Sequence, residues 1–207
     1  HGGQMPLKQQ ACTMSAILQD SRLIEKPSGA AELASYLKRK YPDRITGELR
    51  LPASGGDYAA LPADLAKRLS VALQARGISR LYSHQQSAWK AVRAGENLVV
   101  VTPTASGKTL CYNLPVLDAV LGRQAKALYL FPTKALAQDQ VAEISELNRA
   151  GKLDIRAFTF DGDTPGDARK AVRTRGDIVV SNPDMLHQGI LPHHTKWAQF
   201  FEQLQFV

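Results

Sequence analysis

The chain contains 207 residues, 44% of them hydrophobic, and carries a formal net charge of +7. This length accommodates one α/β domain of ordinary size with a small additional segment. The two cysteines, Cys12 and Cys111, are too few for a disulfide framework and lack metal-binding spacing, which favours a cytoplasmic protein. No stretch of the sequence approaches the roughly 18 consecutive apolar residues of a membrane span, so we expect no membrane partner. The basic charge permits a polyanionic partner but does not establish one.

The first 60 residues are predicted to form a partly helical N-terminal extension, and residues 61–207 are predicted to form the main domain. Residues 30–40 have the apolar spacing of a helix. Lys38-Arg39-Lys40 places cations at the end of this helix, where they are favoured. Residues 43–60 are rich in proline and glycine, which predicts a loop.

The main domain is predicted to begin with two helices. Residues 64–76 have the spacing of an amphipathic helix, with Val71 among its apolar members, and Gly77 ends the helix as its C-cap. Ser83 is predicted to be the N-cap of the second helix, because Gln86 follows three residues later and completes a capping box.

A phosphate-binding loop is predicted over residues 102–109. The β-branched run at residues 97–101 predicts a fully buried strand before it, and an apolar helix follows it. A phosphate loop requires this order of strand, tight loop, Gly-Lys-Thr and helix. Its backbone N–H groups can form an anion nest, Lys108 can bind the β- and γ-phosphates, and Thr109 can ligate Mg²⁺. Thr102 departs from the usual pattern, which has glycine at that position.

Strands and helices alternate along the rest of the main domain. Apolar runs predict buried strands at residues 127–131, 155–160 and 178–181. A helix is predicted at residues 134–148, with Leu136 among its inward-facing side chains. Strands that are apolar on both faces and alternate with helices indicate a doubly wound, mostly parallel sheet flanked by helices. Ligands of such folds bind at the C-terminal ends of the strands.

These motifs, in this order, resemble the first RecA-like domain of superfamily 2 helicases of the DEAD/DEAH type, over residues 77–207. The chain is most similar to a bacterial DNA repair branch that has a zinc-binding C-terminal domain and RecQ-like relatives. The resemblance implies that Gln85 pairs with adenine, although from the residues alone Gln85 is equally a solvated residue of a first helical turn. The aromatic residue that the family often stacks on the base is not identifiable from the sequence. The implied catalytic residues are Lys108 and Thr109, and the implied nucleotide-binding residues are Leu81, Tyr82, Gln85, Thr104, Ala105, Ser106, Gly107, Lys108 and Thr109.

Three further segments resemble the nucleic-acid motifs of this family. Each follows a predicted strand, and two of them open a helix, where free N–H groups can bind phosphate. From the residues alone, Thr133 is an ordinary N-cap, and the segment at residues 161–165 is equally a simple turn with two acidic residues that repel phosphate. The implied nucleic-acid-binding residues are Pro132, Thr133, Lys134, Gly162, Thr164, Asn182 and Pro183.

The resemblance implies an ATP-dependent helicase that uses ATP and Mg²⁺, with DNA favoured over RNA as the nucleic acid. Such enzymes need an Asp-Glu pair and a second RecA-like domain with an arginine finger. Because this sequence contains neither, we expect it to be a fragment of a longer protein. We expect the fragment to be inactive by itself. The alternatives are an RNA helicase, a P-loop kinase or signalling NTPase, and a nucleic-acid-binding module without enzymatic activity.

Overall fold

The computed structural model describes residues 29–49, 55–123 and 125–207. The chain divides into two compact units, residues 1–54 and residues 55–207. The division into an extension and a main domain at residue 60 stays a prediction.

The described part of the first unit contains helix α1 (Ala30–Lys40), followed by a 3₁₀ turn (Pro42–Arg44). The helix predicted for this segment is confirmed, and none of its residues is buried. An ion pair joins Lys38 to Glu48. The rest of the predicted extension before residue 55, at residues 1–28 and 50–54, lies outside the described residues.

The second unit alternates strands and helices. In chain order its elements are β1 (Tyr58–Ala60), α2 (Lys67–Ala75), β2 (Arg80–Tyr82), α3 (Ser83–Arg93), α4 (Thr109–Arg123), β3 (Lys126–Leu130), α5 (Lys134–Gly151), β4 (Ala157–Thr159), α6 (Gly166–Arg175), β5 (Ile178–Ser181), α7 (Pro183–Met185), α8 (His194–Glu202) and β6 (Leu204–Phe206). A π-helical turn (Leu186–Ile190) and a 3₁₀ turn (Leu191–His193) join α7 to α8.

Four of the strands form a parallel sheet in the order β4-β5-β3-β6. Strands β1 and β2 form a separate antiparallel pair. The predicted α/β class with a parallel sheet is therefore confirmed. Since parallel neighbours all end at the same edge, the segments that follow β3, β4 and β5 lie side by side.

The sheet is buried on both faces, as its apolar strands predict. On one face, alternate residues of β3 and β5 pack in a core with α2 to α5; they include Ala127, Tyr129, Ile178 and Val180. On the other face, the intervening residues pack against α6, α8 and the π-helical turn; this core consists of Leu128, Phe160, Val172, Val179, Ile190, Trp197 and Phe200.

The predicted strand at residues 97–101 is wrong. This segment has no regular secondary structure, and the side chains of Val99 and Val101 are 89% and 88% exposed. The physical reason is pairing, because a β-branched run becomes a strand only where a neighbouring strand accepts its hydrogen bonds. Among the described strands, β3 already has β5 on one side and β6 on the other, and none pairs with this run.

Three smaller sequence predictions are also corrected. Residues 58–60, predicted as loop, form β1, because their backbone pairs with β2. Leu136, predicted to face inward, is 45% exposed, and Val71, predicted as a member of the apolar stripe of its helix, is 50% exposed. Helical spacing identifies an apolar stripe, but the neighbouring elements decide which members of the stripe are covered.

Candidate functional site

The predicted phosphate loop lies directly before α4, although the strand predicted to precede it is not formed. The loop still has two left-handed residues, as tight anion-binding turns do. Ala105 and Gly107 both have left-handed backbone conformations, with φ of 59° and 74°. Within the described residues, the N–H groups of Ser106, Gly107, Lys108 and Thr109 donate to no backbone carbonyl. These unpaired donors, together with the positive end of the helix dipole of α4, fit a polyanionic ligand such as a triphosphate.

The Lys108 ammonium group folds back across this loop. Its Nζ donates to the carbonyl oxygens of Thr102 at 2.8 Å and Pro103 at 2.7 Å. The hydroxyl groups of Thr102 and Ser106 also hydrogen-bond to each other at 2.6 Å. Thr102, which stands where the usual motif has glycine, therefore contributes both its side chain and its carbonyl group to closing the loop. A phosphate that binds Lys108 replaces two neutral carbonyl acceptors with a charged one, which strengthens the hydrogen bonds.

Two side chains of α3 hold the carbonyl groups of the same loop. The Gln85 amide donates to the Gly107 carbonyl oxygen at 2.8 Å, and the His84 Nε2 lies 3.0 Å from the Ser106 carbonyl oxygen. Because a carbonyl oxygen only accepts, the Nε2 atom of His84 carries a hydrogen. The carbonyl groups of Ser106 and Gly107 are thus held by α3, and those of Thr102 and Pro103 by Lys108, while the N–H groups from Ser106 to Thr109 are left for a ligand.

Gln85 is 3% exposed, so it is not a solvated residue of a first helical turn. Its Oε1 atom accepts from the Tyr82 backbone N–H at 2.9 Å, as the glutamine of a capping box does. The capping box predicted at Ser83 and Gln86 is therefore wrong by one residue, since the helix begins at Ser83 with Tyr82 as its N-cap. Each atom of the Gln85 amide retains one further hydrogen-bonding position, so the predicted adenine contact stays a prediction.

A stack of rings that the sequence did not reveal lies beside this loop. The Tyr58 and Tyr82 rings stack with centroids 4.9 Å apart, and the Tyr82 and His84 rings stack at 5.5 Å. The Arg80 guanidinium lies 4.5 Å from the centroid of the Tyr58 ring. Tyr82 thus stacks against both Tyr58 and His84, and Tyr58 against both Tyr82 and Arg80, so a base would have to displace one of these neighbours to stack on a tyrosine. Only the pairing of β1 with β2, which places Tyr58 opposite Tyr82, could have identified Tyr58.

Leu81 was predicted to bind the nucleotide, but its side chain does not reach the site. It is completely buried in the core, so only its backbone is available to a ligand. In contrast, Thr104 and Ala105 are exposed and Thr109 is partly exposed. The structure therefore brings together the residues predicted from 102 to 109 with Tyr82 and Gln85.

The three segments predicted to contact nucleic acid lie along one edge of the sheet. The register pairs Leu130 with Ser181 and Thr159 with Val180, so the chain leaves β3, β5 and β4 at neighbouring positions. Segments that are far apart in the sequence are thus assembled at the C-terminal edge, where ligands of parallel sheets bind.

Two of these segments use their predicted contact residues as helix caps. The Thr133 hydroxyl oxygen accepts from the Leu136 N–H at 3.3 Å, and the Asn182 Oδ1 accepts from the Met185 N–H at 2.8 Å. Pro132 precedes the Thr133 cap, and Pro183 occupies the first position of α7. The Thr133 hydroxyl hydrogen and the Asn182 amide hydrogens are not used by these caps, so a phosphate contact stays compatible with them.

The third segment, between β4 and α6, is internally bonded. The Asp161 carboxylate accepts from the Asp163 N–H at 3.0 Å and from the Thr164 hydroxyl at 3.2 Å. The Thr164 hydroxyl oxygen also accepts from the Asp161 N–H at 2.9 Å. Because its only hydrogen is used inside the loop, Thr164 must break this bond to donate to a phosphate. Gly162 is exposed, with nothing within 4 Å of its Cβ position.

Arg169 of α6 anchors this loop, and the sequence did not indicate that role. Its guanidinium donates to the carbonyl oxygens of Thr164 at 2.9 Å and of Asp161 and Gly162 at 3.3 Å, and stacks 5.3 Å from the Phe160 ring centroid. The loop is therefore held from its carbonyl side by one arginine.

Lys134 at the start of α5 forms an ion pair with Asp163. This hydrogen bond, and then the negative charge of Asp163, raises the pKa of the Lys134 ammonium group. Lys134 is thus positioned at the edge of the sheet as predicted, but with an internal anion as its partner.

No metal-binding cluster of three or more His, Cys, Asp or Glu residues occurs within the residues that the structure describes. His193 and His194 are both exposed. Of the helices in the described ranges, none is long and apolar enough to cross a bilayer.

Comparison with known proteins identifies relatives of the chain. The chain is 55% identical over 148 residues to the uncharacterized ATP-dependent helicase YprA of Bacillus subtilis, covering 71% of this chain and 20% of that protein. It is 41% identical over 158 residues to the ATP-dependent helicase hrq1 of Schizosaccharomyces pombe, covering 74% of this chain and 15% of that protein. The chain therefore spans only 15% to 20% of the length of these curated relatives.

The fold resembles the crystal structure of the DUF1998 helicase MrfA bound to DNA and AMPPNP. The TM-score is 0.74 at 48% identity, and the match covers 85% of this chain and 25% of that one. The predicted RecA-like helicase fold is thus confirmed. A family model for the DEAD/DEAH box helicases also matches residues 82–207, from the N-cap of α3 to the last residue. This match covers more than half of the sequence and includes both the phosphate loop and the three segments at the sheet edge, so the chain belongs to the DEAD/DEAH box helicase family.

Proposed function

We propose that this chain is the ATP-binding, DNA-contacting first RecA-like domain of an ATP-dependent DNA helicase. The observation that carries the proposal is the phosphate loop, where unpaired N–H groups from Ser106 to Thr109 adjoin the Lys108 ammonium at the start of α4. A catalytic helicase domain needs such a site for the triphosphate. Membership of the DEAD/DEAH box helicase family supports a nucleotide over a simple anion.

The residues of the loop have distinct roles in this proposal. Lys108 leaves the carbonyl groups of Thr102 and Pro103 and binds the β- and γ-phosphates, while the loop N–H groups hold the remaining oxygens. Thr109 would hold Mg²⁺ through its hydroxyl group. When ATP is bound, transfer of its γ-phosphoryl group to water, with ADP as the leaving group, would supply the free energy for movement. Gln85 holds the loop through the Gly107 carbonyl group and uses its remaining hydrogen-bonding positions for the base.

DNA is proposed to cross the C-terminal edge of the sheet, contacting Lys134, Gly162 and Asn182. Two observations support this: three independent segments meet there, and the MrfA neighbour was crystallised with DNA. Contacts of this kind reach the sugar-phosphate backbone, so binding should weaken steeply with salt and show little sequence preference. Competition between DNA and RNA strands of one sequence tests the choice of DNA, and tighter RNA binding would favour the alternative RNA helicase.

Movement along DNA is proposed to require a second RecA-like domain, which closes on the first when ATP binds. The chain alone should therefore bind nucleotide weakly and hydrolyse almost none. Turnover comparable to that of complete helicases would contradict this part of the proposal. A cytoplasmic location is retained as part of the proposal, on the evidence of two isolated cysteines.

The replacement Lys108→Ala tests the nucleotide site directly. Loss of a charged hydrogen-bond donor to phosphate costs about 1.5–3 kcal/mol, which corresponds to roughly 10- to 150-fold weaker binding in a titration with a fluorescent ATP analogue. Lys170→Ala is the matched control, because it removes the same charge from an exposed position on α6. Equal affinities of the two variants would remove Lys108 from its proposed role. A kinase or signalling NTPase would show the same loss but no affinity for single-stranded DNA in a salt series.

A further inference from the structure

The ion pair between Lys134 and Asp163 joins two of the three segments at the sheet edge. Lys134 follows β3 and Asp163 follows β4, and β5 lies between these two strands. The contact therefore links the segments on either side of the Asn182 segment, across the edge where DNA is proposed to bind.

The two aspartates of the loop between β4 and α6 make different contacts. The Asp161 carboxylate holds the loop together through the Asp163 N–H and the Thr164 hydroxyl. For the Asp163 carboxylate, the only partner recorded within the described residues is Lys134. Arg169 holds the loop from its carbonyl side and does not involve the Asp163 side chain. The Asp163 charge is therefore not needed for the loop to keep its shape.

The pair is also accessible to an incoming ligand. The side chains of Lys134 and Asp163 are 51% and 79% exposed. An exposed ion pair is weak, because water competes with both partners and salt screens them. A carboxylate and a phosphate diester are both oxyanions and use the same donor atom of a lysine. Phosphate can thus replace Asp163 at Lys134 without unfolding anything.

We propose that Asp163 is an internal competitor that occupies Lys134 when DNA is absent and is displaced by a backbone phosphate when DNA binds. Asp163 thereby lowers the affinity of this edge for DNA, which lets a strand be released and rebound. This inference rests on the proposed function, since it requires Lys134 to contact the nucleic acid.

The test measures binding of the 207-residue chain to fluorescently labelled single-stranded DNA by anisotropy at low salt. Asp163→Asn should raise the affinity about two- to fivefold, the range expected for one exposed ion pair. Asp167→Asn is the matched control, because it removes the same charge from an exposed residue of the next helix whose recorded bond is to the Ala168 N–H. This control should change the affinity less.

The Lys134→Ala background separates a specific pair from a general charge effect. Lys134→Ala should weaken binding, and adding Asp163→Asn to it should give no further gain beyond that of Asp167→Asn. If Lys134→Ala weakens binding but Asp163→Asn behaves like Asp167→Asn, the competitor role is overturned and the proposed DNA contact stands. If Lys134→Ala binds DNA like the parent, the proposed contact fails and the competitor role fails with it.

A second readout requires no DNA. Amine-specific labelling, followed residue by residue with mass spectrometry, should modify Lys134 faster in Asp163→Asn than in the parent. The reason is that loss of the pair lowers the pKa of the ammonium group and exposes more neutral amine. Asp167→Asn should label Lys134 at the parent rate. Equal rates in the parent and Asp163→Asn would show that the pair does not form in solution and would overturn the inference.

Discussion

Replacing Gly107 by alanine should damage the phosphate loop for two separable reasons. Gly107 has a φ of +74°, and a Cβ atom built there lies 2.7 Å from the Gln85 Nε2 atom. The left-handed conformation alone costs a residue with a Cβ atom about 1 kcal/mol. The Gln85 side chain cannot simply move aside, because it is buried and its amide is bonded to both Tyr82 and Gly107.

If Gln85 shifts and loses both hydrogen bonds, the added cost is about 1 kcal/mol for each. The expected total for Gly107→Ala is therefore about 3 kcal/mol. For a domain of this size, each kcal/mol lowers the Tm by about 2–4 °C, which gives a decrease of roughly 6–12 °C. Nucleotide affinity should also fall by about tenfold or more, since the loop N–H groups move with the displaced backbone.

Gly95→Ala provides the control for backbone strain. Gly95 has a φ of +80°, close to that of Gly107, but nothing lies within 4 Å of its Cβ position. It should therefore lose only about 1 kcal/mol, or roughly 2–4 °C in Tm. The assay is thermal unfolding of the parent and both variants, followed by titration with an ATP analogue. Equal Tm values for the two variants, with unchanged nucleotide affinity, would refute the contact between Gln85 and the loop.

Two further predictions concern the stability of the fold. Leu69→Ala should lower the free energy of unfolding by about 2–5 kcal/mol because Leu69 is completely buried, whereas Val71→Ala on the same helix should cost less than about 1 kcal/mol. Urea unfolding measures both, and similar losses would show that Val71 packs against the core as Leu69 does. Burial is the main cause that lowers the pKa of the Lys126 ammonium below 10.5, opposed by the charge of Asp177 and reinforced by that of Arg156. At pH values between the lowered pKa and 10.5, the unfolded chain binds more protons at Lys126 than the folded chain does. The stability of the parent relative to Lys126→Met should therefore rise as the pH increases through this range. A difference between the two proteins that stays constant or falls over alkaline pH would contradict this.

The elements of the sheet could largely be predicted from the sequence. The strand at Ile178–Ser181 and the helix at Ala30–Lys40 have the predicted bounds. The strand that precedes Thr133 lies within one residue of its predicted position. Buried parallel strands leave a strong local signal because both of their faces are apolar, and this signal does not depend on which strands pair. The local chemistry of the phosphate loop is equally visible, since glycine, lysine and threonine act there through their own backbone and side chains.

Pairing and side-chain partners were decided by the tertiary structure. The run that contains Val99 and Val101 has the composition of a strand, but no described strand pairs with it. Tyr58 is recognisable as a neighbour of Tyr82 only because β1 pairs with β2. The sequence likewise identified Gln85 and Lys134 as site residues without showing that Gln85 supports the loop or that Asp163 occupies Lys134. Residue type and spacing determine what a segment can form by itself. Contacts between distant segments depend on which surfaces the packed sheet brings together, and no local pattern records that.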